Sequence, residues 1–145
     1  MKSWPAAAYA VLLAVWAGSL WTVAWVAPVL FASLERVTAG NIAGQLFALV
    51  AWIGMACGVP LIALRAFALP GGRDWALWAL LGMLVLDLAG YFGVGAILAD
   101  LRAQAAPLPI AESPLRAQFG LWHAVSTVLY VIEAVIALVL VARRR

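Results

Sequence analysis

Charge is the first thing this chain lacks: only 10% of its 145 residues are Asp, Glu, Lys or Arg, and it has one histidine and one cysteine. The lone Cys57 excludes an intrachain disulfide and any CxxC metal or redox motif. No HExxH, no phosphate-binding glycine loop and no nucleophile-base-orienter arrangement occurs, so nothing in the chain points to an enzyme. Basic residues do not alternate with aromatics, and no nucleic-acid partner is expected. The terminal Arg143-Arg144-Arg145 reads instead as an anchor against anionic lipid.

What is present is hydrocarbon. The chain is 68% hydrophobic with a mean hydropathy of +1.08, whereas soluble domains are typically about 45–50% apolar. Four continuous apolar runs, at 5–34, 41–64, 75–99 and 119–142, each reach the roughly 20 residues that a helix needs to cross a bilayer. The runs do not alternate, and helices satisfy their own backbone hydrogen bonds in lipid. The expected fold is therefore all-α, a single four-helix transmembrane bundle with spans at about 6–34, 42–64, 75–99 and 119–142. The first run is longer than the roughly 7–15 residues of a signal-peptide core and is expected to be a retained span. Connections are expected at 35–40, 65–74 and 100–118, with a tight turn at Pro70-Gly71-Gly72 and a short lead-in helix after Pro114. Pro28 and Pro60 are expected to kink the first two spans.

Orientation follows from the basic residues. Lys2, Arg65, Arg73, Arg143, Arg144 and Arg145 fall on one side, and Arg36, Arg102 and Arg116 on the other, which predicts cytoplasmic termini. Trp4, Trp75, Trp78 and Trp122 fit membrane borders, while Trp16, Trp21, Trp25 and Trp52 lie deeper and are assigned to helix packing. Small residues let helices approach closely in lipid. Gly40/Gly44 and Gly54/Gly58 on the second span, and Ala89/Gly93 with Gly90 on the third, are expected to pack inside the bundle.

The chemistry is carried by a few polar residues inside the spans. Asp87 lies near the middle of its segment, and Glu133 lies about 5 Å past the middle of its own. No lysine or arginine occurs within a span, so the two carboxyls lack an evident cationic partner, and at least one is expected to hold a proton at neutral pH. Phe119, His123, Ser126, Tyr130 and Glu133 fall within about 80° of helix arc. With Asp87, Tyr91 and Gln45 they are expected to form one interior network, with His123 facing the bundle. Such groups either mark a proton or ion path or lock helix register. His123 is the candidate ligand for haem or another metal, with Met83 or Met55 as its second, and Met55 with Cys57 for copper. One histidine is too few for bis-histidine ligation in a monomer, and Met55 and Cys57 point apart at i, i+2. No cofactor is therefore the leading expectation.

Several stretches in order carry a family resemblance: Trp16-Ala17-Gly18, APVLF at 27–31, AGNIAGQLF at 39–47, and PLRAQFGLWHAVS at 114–126. They resemble a bacterial membrane family, the domain of unknown function 4149, and are similar to eukaryotic transmembrane protein 205. The resemblance implies a four-helix protein of the bacterial inner membrane and brings no established activity. It puts Phe119, His123 and Ser126 forward as motif positions, although the family's leucine-histidine-glycine appears here as Trp122-His123-Ala124. The leading functional expectation is proton, cation or small-solute handling through the Asp87/Glu133/His123 network, in an oligomer. The alternatives are a structural or assembly subunit bound to another membrane protein, and a haem or copper redox protein.

Overall fold

In the computed structural model of the chain, the described residues are 4–69 and 74–143. The expected turn at Pro70-Gly71-Gly72, and Lys2, Arg73, Arg144 and Arg145 of the charge count, lie outside them. The described residues form four helices long and apolar enough to cross a membrane: α1 (Trp4–Ser33), α2 (Arg36–Ala68), α3 (Trp75–Ala105) and α4 (Arg116–Ala142). α1 packs against α2 and α4, and α3 packs against the same two, so the helices form a four-cornered bundle.

The helices run further than the apolar segments. The stretch expected to connect the first two spans is helical from Arg36 onward, because nothing in Arg36-Val37-Thr38-Ala39-Gly40 forces the chain out of a helix. Asp100 to Ala105, expected as loop, continues α3; a Gln104 amide donates to the Asp100 carboxylate one turn earlier at 2.7 Å. Pro107 ends this run, since the residue before a proline is driven to extended backbone, and Ala106 is extended. Pro28 and Pro60 both lie inside continuous helices. The segment after Pro114 is no separate lead-in helix: α4 itself begins at Arg116.

Two π-helical turns interrupt the α-helical pattern. Leu64–Ala68 closes α2, and Ala89–Val94 lies inside α3 just past Asp87. Gly95 follows the second; a Cβ there would sit 3.1 Å from the Gly90 carbonyl oxygen, so the widened turn favours a residue with no side chain.

The core runs along the bundle axis through Leu13, Trp16 and Leu20 of α1, Leu61 of α2, Leu80 and Met83 of α3, and Ala137 and Leu140 of α4. Lipid is as apolar as leucine, so contact between these side chains, not escape from water, holds the helices together. Many large apolar side chains face outward, among them Val11, Val15, Leu49, Val59, Val85 and Leu138, as a surface in contact with acyl chains requires.

Candidate functional site

Each helix contributes one element to a polar cluster halfway along the bundle. From α1, the fully buried Trp16 turns its indole inward, and its N–H donates to Glu133 Oε1 of α4 at 3.0 Å. From α2, Gly54 and Gly58 leave a lane that this indole fills. A Cβ on Gly58 would lie 3.1 Å from the Cη2 and Cζ3 edge of the ring. A Cβ on Gly54 would lie 2.7 Å from Trp16 Nε1 and 2.5 Å from Asp87 Oδ2, inside van der Waals contact with both. From α3, Asp87 reaches the same space over the bare backbone of Gly54 that the indole nitrogen borders.

Both carboxyls are buried, Asp87 at 7% exposure and Glu133 at 4%. Asp87 Oδ2 is enclosed with no hydrogen-bond partner among the described residues. The Asp87 carboxyl is close enough to Glu133 for the two to repel if both are ionised. Two further bonds hold α1 against α4 beside the cluster: the Tyr130 hydroxyl donates to the Leu20 carbonyl, and the Trp21 indole donates to the Ala134 carbonyl at 3.3 Å. Phe47 of α2 meets the Tyr130 ring edge-on at 5.0 Å between centroids.

A family model, Domain of unknown function (DUF4149), matches residues 11–107. The chain belongs to this family. No curated protein and no solved structure matches it. The matched DUF4149 segment holds most of α1 and all of α2 and α3, and so Trp16, Gly54 and Asp87; it ends before Glu133 and His123 of α4.

Other polar residues expected in one network are placed apart. His123 is exposed and stacks on Phe119, with ring centroids 6.1 Å apart, while the Arg102 guanidinium lies over the other ring at 5.0 Å. The expectation that His123 faces the interior is corrected: it and Glu133 sit at opposite edges of the roughly 80° arc, and only the Glu133 edge points to the axis. Ser126 is half-buried between them, and Gln45 is exposed. Tyr91 does not join Asp87 although it lies four residues on. The intervening π turn swings it to the outer α2–α3 face, where its hydroxyl accepts from the Trp52 indole at 3.3 Å.

The glycines divide similarly. Gly54 and Gly58 are tightly packed, whereas a Cβ on Gly40, Gly90 or Gly93 would meet nothing within 4 Å, and one on Gly44 only the Arg102 guanidinium at 4.0 Å. The packing role expected of those four is corrected accordingly. Trp25, expected in packing, is 73% exposed. Of the sulfur groups weighed as ligands, Met83 and Cys57 are buried in the core and Met55 is half-buried. No group of three or more His, Cys, Asp and Glu side chains comes together among the described residues.

Trp16 and Gly54 join the site although their residue types and spacing mark them only for helix packing. The available signal was depth: tryptophan concentrates at membrane borders, and Trp16 stands well inside α1. At one end of the bundle the ionic chemistry is of another kind. Asp74 caps α3 by accepting from the Leu77 N–H at 3.2 Å, and it is ion-paired with Arg65 of α2. The Arg65 guanidinium holds the Asp74 carboxyl below the usual carboxylate range. Arg143 lies over the Trp75 ring at 5.3 Å at the same end.

Proposed function

We propose that this protein binds and releases a proton at the Asp87–Glu133 pair, as a multi-pass protein of the bacterial inner membrane with both termini in the cytoplasm. The observation that carries the reading is the enclosed Asp87 oxygen with no hydrogen-bond partner among the described residues, beside a second buried carboxyl. A carboxylate stripped of water and counter-charge is costly, and a proton is the smallest ligand that removes the cost. A metal cation fits less well, because hard cations take several oxygen ligands and Trp16 already occupies one Glu133 oxygen. The cytoplasmic termini rest on the basic-residue count. Arg65 and Arg143, both on the expected inner side, come to the same end of the bundle, in keeping with that orientation.

Four helices enclose little volume, so passage across the membrane is assigned to an oligomer. The test is proton flux into liposomes carrying the purified protein, followed with an internal pH dye after an acid pulse. Asp87→Asn and Glu133→Gln are each expected to abolish protein-dependent flux while leaving the helical content intact. Flux unchanged by both substitutions sinks the reading.

A second reading, an assembly subunit held by a neighbouring membrane protein, is favoured by one observation. Gln45 and His123, and the hydrogen-bonded Trp52–Tyr91 pair on the outer α2–α3 face, offer polar groups that a neighbouring protein helix can engage and a lipid chain cannot. A fixed neighbour copurifying with the protein supports it, and loss of that neighbour on Tyr91→Phe with Trp52→Phe locates the contact.

A further inference from the structure

The pair holds two carboxyls and one donor. Among the described residues Asp87 Oδ2 has no hydrogen-bond partner, and Glu133 Oε1 accepts from Trp16. The indole nitrogen and Asp87 Oδ2 also border the same space over Gly54. We infer that Trp16 is the positioning residue of this site: its N–H supports the single negative charge left when Asp87 and Glu133 share one proton. The inference rests on the proton-site reading above and deepens it.

The geometry gives the reason. A carboxylate needs donors, and the indole N–H is a donor that cannot accept. It can therefore stabilise an ionised carboxyl without competing for the proton that the pair holds. The rest of the indole is apolar and fills the lane over Gly58, so the donor is held in place by packing. The neighbouring groups leave this task to it. On α4, the Tyr130 hydroxyl is spent on the Leu20 carbonyl. On α2, Cys57 is buried in the same core but a thiol is a weak donor. On α3, Asp87 is the titratable group at this level. On α1, the titratable Tyr9 lies two turns away from Trp16 toward the end of the bundle, where Arg65 is paired with Asp74. His123 lies ten residues along α4 and faces out.

The experiment is a pH titration of the carboxyl stretching band by infrared difference spectroscopy, on the purified full chain in lipid. Asp87→Asn and Glu133→Gln identify the band. In Trp16→Phe, which keeps an aromatic ring and removes the N–H, the midpoint is expected to move to higher pH by about one unit, because the ionised form has lost a charge-assisted hydrogen bond. A midpoint unchanged in folded Trp16→Phe overturns the role of Trp16 and leaves the proton site standing. Absence of any titrating band that depends on Asp87 or Glu133 overturns the proton site itself.

Should Trp16→Phe fail to fold, the wild-type protein decides the matter through its nitrogen-15-labelled indoles. One indole N–H resonance of the eight tryptophans is expected to follow the carboxyl midpoint and to stop doing so in Glu133→Gln. If no indole resonance follows the carboxyls, the inference is overturned.

Discussion

Asp74 caps the helix that carries Asp87, thirteen residues before it, and the two are treated in opposite ways. Asp74, at the end of the bundle, has an arginine, a backbone N–H and partial access to water. Asp87, in the centre, has an enclosed oxygen with no hydrogen-bond partner among the described residues and a second acid for a neighbour. The first arrangement is what stability alone selects: a capped helix start and a satisfied ion pair. The second costs free energy that an apolar residue of similar size would not. A fold that needed only to hold four helices together has many cheaper solutions, and this contrast directs attention to the centre.

The comparison breaks most severely at Trp16. Trp16→Ala removes a fully buried ring and its hydrogen bond to Glu133, and it is expected to cost about 3–5 kcal/mol. Unfolding in detergent, read by circular dichroism, measures it. Gly54→Ala comes next. Its methyl would press on Trp16 Nε1 and Asp87 Oδ2 together, and such overpacking is expected to cost about 1–3 kcal/mol. Gly93→Ala, where a Cβ meets nothing, is the control and is expected to change stability by no more than about 0.5 kcal/mol. Equal effects at Gly54 and Gly93 would show that the lane over Gly54 yields more easily than its contacts imply.

The end of the bundle responds to acid. Loss of the Asp74 cap in Asp74→Ala is expected to cost about 1 kcal/mol near neutral pH. The Asp74 carboxyl is held below its unfolded-state range, so its contribution is complete above that range, about pH 4. It is then lost as pH falls through the lower folded-state value. Wild type and Asp74→Ala should therefore differ at pH 7 and converge in acid. A constant difference across that window would mean that Arg65 does not act on Asp74 in the folded protein.

Much of the fold was legible because lipid imposes a length and a composition on anything that spans it. Four apolar runs became four helices, and Asp87 and Glu133 stood out as ionisable groups in the wrong solvent. Three things were not legible. A π turn leaves no clear mark in the residue pattern, so the spacing of Asp87 and Tyr91 suggested a shared face that the wider turn between them removes. The partners of a glycine are not written in its own spacing either: Gly54/Gly58 and Gly40/Gly44 look alike in sequence, yet one pair seats an indole and the other meets almost nothing. Helix ends were misjudged because polar residues such as Arg36 and Asp100 end an apolar run without ending a helix.

The smallest effect is expected where the sequence drew the eye first. His123 is the chain's one histidine and belongs to a motif-like stretch, but it faces outward, and its ring contact is the face of Phe119. Arg102 stacks on that same Phe119 ring, so the three side chains form a surface layer at the opposite end of the bundle from Asp74. His123→Ala should leave the stability of the isolated protein within about 0.5 kcal/mol of wild type and the carboxyl titration at its wild-type midpoint. A shifted midpoint would join His123 to the central pair through groups that the present geometry keeps separate. An unshifted midpoint, accompanied by loss of a copurifying neighbour, would instead assign His123 to a contact surface. The proton site would then consist of Trp16, Gly54, Asp87 and Glu133.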